Sequence, residues 1–222
     1  MAKQKQSGGT GPKPWVWVVV GVAALLVLFF GYRGLNPSSP SSPSRTAAKI
    51  AEPALPASGF TWQYRAYRLG SLAPSQLARG SRVTVVMLMA SWCLYCAYDD
   101  KYVWPTILNT KGLTLDIVDV STYSGIGDPG PKHPAFTGQD HPGPVVGVAG
   151  MNRTMEKYVS QFHLKASNIH VYLDPQGLKY WSVSTFPTIL LINRHGQLAA
   201  RVEGALTASR AKSVIQQVSN QR

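Results

Sequence analysis

Two apolar runs of strand length, RVTVVMLMA at 82–90 and LTLDIVDV at 113–120, stand on either side of a segment that reads as a helix running toward Leu108. A strand, a helix and a second strand in that order require a crossover, and a right-twisted strand feeding a right-handed helix returns to the sheet as a parallel neighbour. Further along, RTMEKYVSQFHL (153–164) has helical spacing and IHVYLD reads as a short strand. TILLINRHGQLAARVEG forms two strands turned at His195 and Gly196, and TASRAKSVIQQVSNQ closes as a helix. This alternation predicts an α/β chain with a central mixed sheet flanked by helices, extending over residues 60–222. Between the second strand and the next helix, the segment 121–152 is rich in Gly and Pro and is expected to form no regular element.

The chain has two cysteines, Cys93 and Cys96, and both fall at the first junction, in SWCLYC. Zinc sites usually take four ligands, and no second cysteine pair or suitably spaced Cys and His set accompanies these two. A disulfide between residues three apart closes too small a loop to restrain the unfolded chain much. Where a strand gives way to a helix, however, the first sulfur meets unpaired backbone N–H groups and the positive end of the helix dipole, which favours a thiolate on Cys93. Cys96, one turn further in, is expected to keep its proton longer and to resolve a mixed disulfide. His133 and His141 lie in the 121–152 segment without a third ligand and are expected to be bystanders.

The stretch WVWVVVGVAALLVLFFGY at 15–32 is uncharged and long enough to span a bilayer core, with Trp15, Trp17 and Tyr32 suited to its interfaces. It is read as an uncleaved transmembrane helix rather than a signal peptide, which would have a shorter apolar core and a small-residue cleavage pattern. Residues 1–14 are then a short cytoplasmic N-terminus, and 33–59, dominated by Pro, Ser and Ala, a solvated spacer. The body is expected to lie outside the cytoplasm. The formal net charge is +12, and the body carries sixteen Lys and Arg against nine Asp and Glu, scattered along it. No basic run with interleaved aromatics marks a nucleic-acid groove, so no nucleic-acid partner is expected.

Taken together, SQLARG before the first core strand, ASWCLYC at the strand–helix junction, VYLDPQG and VSTFPTILLINRHGQLA resemble one family. It is that of the membrane-anchored thioredoxin-like thiol–disulfide oxidoreductases, including the branch associated with cytochrome c maturation. The resemblance covers about Phe60 to the C-terminus. It implies a thioredoxin-like fold in which Pro187 is cis and lies against the cysteine pair, Trp92 forms a platform beside Cys93, and the backbone around Phe186 and Pro187 holds an extended substrate segment.

Three departures from the pattern stand out. The strand position at which thioredoxin buries an Asp is Met87 here. In the cytochrome-maturation branch an acid, a Glu, follows the second cysteine by three residues; Asp99 matches that position, beside Asp100, and is read either as that acid or as a solvated first-turn acid. Third, the 94 residues from Cys93 to Pro187 exceed what a minimal fold of this kind requires, and 121–152 accounts for most of the excess. Since Cys93 and residue 121 both follow the carboxyl ends of neighbouring parallel strands, the insertion is expected to border the cysteines. Trp104, Tyr158 and Trp181 are read as packing residues and Asn152 as a helix cap.

The implied activity is exchange of thiols and disulfides with protein substrates outside the cytoplasm. The redox-active Cys93–Cys96 disulfide would stand in place of any dissociable cofactor, with no metal, and a membrane redox partner would renew the pair. The alternative is a copper-handling protein on the same fold, with the two sulfurs and a histidine as Cu(I) ligands.

Overall fold

All seven residues of Val83–Met89 are buried, and so are all seven of Leu113–Asp119, which only strands covered on both faces permit. The computed structural model describes residues 49–51 and 64–221. The run 15–32 expected to span a membrane, the N-terminus 1–14 and most of the stretch 33–59 read as a spacer lie outside the described residues. Among those described, no helix is long and apolar enough to cross a membrane.

In chain order the strands are β1 (Lys49–Ala51), β2 (Arg65–Arg68), β3 (Pro74–Gln76), β4 (Val83–Met89), β5 (Leu113–Asp119), β6 (Ile169–Leu173), β7 (Thr188–Asn193) and β8 (Leu198–Glu203). The helices are α1 (Leu94–Tyr98), α2 (Val148–Gln161), α3 (Gly177–Tyr180) and α4 (Ala208–Ser219). One sheet takes the order β1-β8-β7-β4-β5-β6-β2-β3. The β4–β5 and β5–β6 pairs are parallel, while β7 runs antiparallel to both β4 and β8. This is the thioredoxin-like α/β arrangement with a mixed sheet.

Alternation along β4 and β5 divides the core. Val83, Val85, Met87 and Met89 join Leu113, Leu115 and Ile117 on the face covered by α1, α2 and α4, whereas Val86, Leu88 and Val118 join Tyr172, Leu190 and Trp181 on the other. Helix α2 turns Met151, Met155 and Tyr158 inward and α4 turns Ala211, Val214, Ile215 and Val218 inward, each set at helical spacing. Thr207 caps α4 by accepting the Arg210 N–H at 3.2 Å.

Several elements differ from the sequence reading. The helix after the cysteines does not continue regularly toward Leu108: α1 passes into a π-helical turn, Asp99–Val103, and then a 3-10 turn, Trp104–Thr106. Pro105 explains the change, because it offers no N–H and its ring crowds the carbonyl four residues earlier. Helix α2 starts at Val148, so the irregular segment ends at Gly147. Asn152 is therefore inside α2 rather than at its cap; its side chain accepts the Gly70 N–H at 2.8 Å and donates to Glu156 at 2.7 Å. Lys49–Ala51, within the stretch read as spacer, pairs with β8 at the sheet edge.

Candidate functional site

The β4–β5 register sets Met89 opposite Asp119, so both strands end at one sheet edge, where the Val120 N–H donates to the Met89 carbonyl at 2.9 Å. The chain leaving β4 turns tightly, with the Cys93 N–H on the Ala90 carbonyl at 3.0 Å, and Cys93 caps α1 in an extended conformation (φ −82°, ψ 125°). Its Sγ accepts the Cys96 N–H at 3.4 Å. The two sulfurs are not bonded to one another, and Cys93 is 3% exposed, Cys96 not at all. Burial pushes the Cys96 thiol well above its ordinary value, with the adjoining Cys93 sulfur adding to the effect and Asp100 contributing less. Cys96 thus stays protonated while Cys93 takes up the capping position.

Opposite the cysteines, Thr188 pairs with Leu88, which brings the preceding Phe186–Pro187 bond to the same edge, and that peptide bond is cis. Pro187 is buried and Phe186 half-buried. Phe186 meets Trp92 edge to face, with ring centroids 5.8 Å apart. Trp92 is half-buried, and its indole N–H donates to Ser121 Oγ at 2.8 Å. The Ser121 N–H in turn donates to Asp119 Oδ1 at 3.1 Å, and Asp119, lifted to about 8 by burial against the opposing Ser121 and Ser91 N–H groups, closes the chain of contacts.

Beneath the pair lie groups that the sequence reading underrated. Asp99 is fully buried, which excludes its reading as a solvated first-turn acid. Both its oxygens face the Leu206 N–H, at 3.1 and 3.3 Å. Burial, then the neighbouring Asp100 charge, push its carboxyl well above the usual range. Asp100 is lifted to about 7 by burial, offset by Tyr158, whose hydroxyl donates to its Oδ2 at 2.6 Å; Oδ1 has no hydrogen-bond partner. Tyr158 does more than pack. A usable signal was present in the sequence: Tyr158 continues the Met151, Met155 stripe, so its hydroxyl had to enter the core and find a partner there. Met87, at the position of thioredoxin's buried Asp, instead accepts the Trp104 indole N–H through Sδ at 3.1 Å.

Above the pair lies the segment 121–147. The Ser91 carbonyl accepts the Gly127 N–H at 2.9 Å, the Trp92 carbonyl accepts the His141 N–H at 3.0 Å, and the Leu94 N–H donates to Asp140 Oδ1 at 2.7 Å. Gly127 is required here, since a Cβ on it would lie 2.5 Å from the Cys93 carbonyl carbon. Phe136 stacks on Tyr98 and Tyr95, with centroids 4.3 and 5.5 Å apart, while Tyr98 and Tyr102 donate their hydroxyls to the Lys132 and Gly130 carbonyls. The side chains of His133 and His141 are exposed, and the described residues contain no group of three His, Cys, Asp or Glu able to hold a metal. The His133–Pro134 bond is also cis. Asp140 escaped the sequence reading because nothing local to it refers to Leu94.

The chain matches no family model and no curated protein. Solved structures resemble it at low identity. An uncharacterized conserved protein from Geobacillus kaustophilus superimposes with a TM-score of 0.50 at 9% identity, over 79% of this chain and 87% of that one. A secreted Mycobacterium tuberculosis disulfide oxidoreductase homologous to E. coli DsbE gives a TM-score of 0.48 at 14% identity, over 70% and 96%. A thiol-disulfide isomerase from Corynebacterium glutamicum gives 0.46 at 12%, over 74% and 96%. At these identities the likeness is one of fold.

Proposed function

We propose that the chain is a thiol–disulfide oxidoreductase that exchanges disulfides with protein substrates. The observation carrying this reading is the asymmetry of the pair: Cys93 caps α1 at the sheet edge beside the cis Phe186–Pro187 bond, while Cys96 lies one turn deeper with its thiol lifted by burial. The Cys93 thiolate attacks one sulfur of a substrate disulfide. The substrate S–S bond breaks, a mixed disulfide forms on Cys93, and the departing substrate sulfur takes up a proton. Cys96 then gives up its proton and attacks Cys93 Sγ, forming the Cys93–Cys96 disulfide and releasing the second substrate thiol. Two electrons pass from the pair to the substrate; the reverse sequence oxidises a substrate dithiol. The pair itself carries the electrons, so the exchange calls for no dissociable cofactor. Asp100, lifted to about 7 and near enough for its charge to raise the Cys96 thiol, is the buried carboxylate on hand to receive the proton that Cys96 loses.

On this reading residues 15–32 tether the domain to the cell membrane as a single span with the N-terminus inside, the domain works outside the cytoplasm, and a membrane redox partner renews the pair. The burial of Asp99, at the position of the acid in the cytochrome-maturation branch, favours that branch. The test uses the full chain in detergent with an unfolded disulfide-bonded protein. Cys96→Ser should accumulate a mixed disulfide at Cys93, and Cys93→Ser should accumulate none. Full turnover by Cys96→Ser, or alkylation of Cys96 ahead of Cys93, would sink the assignment.

A further inference from the structure

In the reading above Cys93 is the sulfur a substrate must reach, yet it is 3% exposed. One side of its backbone is covered by the 121–147 segment. On that side the backbone flanking Cys93 is already paired: Ser91 O with the Gly127 N–H, Trp92 O with the His141 N–H, and the Leu94 N–H with Asp140 Oδ1. Gly127 sits so close to the Cys93 carbonyl that even a methyl group has no space between them. Of the three contacts, the one through Asp140 is made by an exposed side chain rather than by backbone, and it is the shortest, at 2.7 Å.

We propose that residues 121–147 form a displaceable guard over Cys93 that favours disulfides carried on polypeptide, with Asp140 as the side chain that latches it. Opening the guard frees two carbonyls and one N–H along a short run of backbone. A polypeptide substrate carries N–H and C=O groups able to replace some of the lost bonds. A small disulfide without peptide groups leaves them to water and gains nothing that offsets the opening. The chemical step is the exchange already written, with the substrate S–S bond broken, the Cys93 mixed disulfide formed and the leaving thiol protonated, so no further reactant is needed. The substrate class therefore rests on the oxidoreductase reading, while the guard itself does not.

The experiment compares the full chain in detergent with Asp140→Ala and Asp140→Asn, using two probes: 2-hydroxyethyl disulfide, and a linear peptide joined to a second copy by one disulfide. Asparagine keeps an oxygen for the Leu94 N–H; alanine does not. The Asp140→Ala variant should react about tenfold faster with 2-hydroxyethyl disulfide, the gain expected from losing one hydrogen bond to a charged group. Because the bond is lost from the closed state alone, the peptide disulfide should speed up by a similar factor, which leaves the wild-type preference for the peptide in place, and Asp140→Asn, with a neutral acceptor in place of a charged one, should fall between wild type and Asp140→Ala. No acceleration toward either probe, acceleration toward one probe alone, a wild type that reacts no faster with the peptide disulfide than with 2-hydroxyethyl disulfide, or an Asp140→Asn as fast as Asp140→Ala would overturn the proposal. Alkylation of Cys93 by iodoacetamide reads the guard without any exchange, and should be faster in Asp140→Ala. If alkylation speeds up in a protein that exchanges neither disulfide, the oxidoreductase reading and the substrate class fall and the guard stands. Unchanged alkylation with normal exchange would remove the guard alone.

Discussion

The cysteine turn is held from below and from above by different means. Below it, Asp99, Asp100 and Tyr158 are fully buried, with the two Asp99 oxygens sharing the Leu206 N–H and Asp100 Oδ1 meeting no donor. Above it, 121–147 is bound through three contacts to backbone groups, with Phe136 its main aromatic contact. Burial of carboxyls ties the lower region to global stability and to pH, since each carboxyl must stay neutral or bear a desolvated charge. Two of the three bonds, those to exposed His141 and Asp140, are exchanged readily with water, so the upper region opens without unfolding the domain. One region sets whether the domain is folded; the other sets what meets Cys93.

The largest effect tests the buried carboxyls by pH, Asp100 of the lower region together with Asp116 and Asp119 of β5. Asp100 is lifted to about 7 and Asp116 and Asp119 to about 8, whereas unfolded Asp titrates near 4. A raised folded-state value means that the stabilisation is complete below about 4, is lost progressively as pH rises from there, and is gone once pH has passed about 7 to 8. His170, lowered by burial and by Arg68, acts in the opposite sense on the acid side of about 6.5. The urea midpoint should therefore fall between about pH 6.5 and 8.5, by an amount equivalent to several kcal/mol. Asp116→Asn, which removes a carboxyl whose oxygens have no hydrogen-bond partner, should flatten the slope. A midpoint independent of pH would mean that these carboxyls are not desolvated in solution.

A smaller effect separates Tyr158 from simple packing. Tyr158→Phe keeps the ring and strips Asp100 of its one donor, at a cost of about 1–3 kcal/mol. The loss should be larger at pH 8 than at pH 6, because the ionised carboxylate needs that donor more. Equal losses at both pH values in urea unfolding would reduce Tyr158 to a packing residue.

The smallest stability effect belongs above the pair. Gly127→Ala forces a methyl group against the Cys93 backbone. Because the segment can lift away, the cost should be about 1 kcal/mol, the low end for overpacking. Amide exchange should accelerate at Gly127 and His141 while Val85, Val86 and Leu88 in β4 keep wild-type protection. Loss of protection throughout β4 would show that the upper region is part of the global folding unit.

Local pattern alone was enough for the strands β4, β5, β6, β7 and β8, the helix α4 and the placing of Cys93 and Cys96 where a strand becomes a helix. Each of these is written in spacing within a few consecutive residues: alternation or apolar runs, a cysteine pair one turn apart, a Gly turn at 196 and a Thr cap at 207. The role of Asp99 and Asp100 was not legible in this way. An acid in a first turn has the same local signature whether water or a core covers it, and only the arrival of Leu206 and Tyr158, 107 and 58 residues away, decides which. The same holds for Asp140, which meets Leu94 across 46 residues, for Asn152, turned from a cap into a tie for Gly70, and for Lys49–Ala51, which becomes a strand only because β8 offers an edge. Periodicity records which face of an element is apolar. Which element comes to lie against that face, and so whether a carboxyl is solvated, paired or stranded, is settled by packing between segments far apart in the chain.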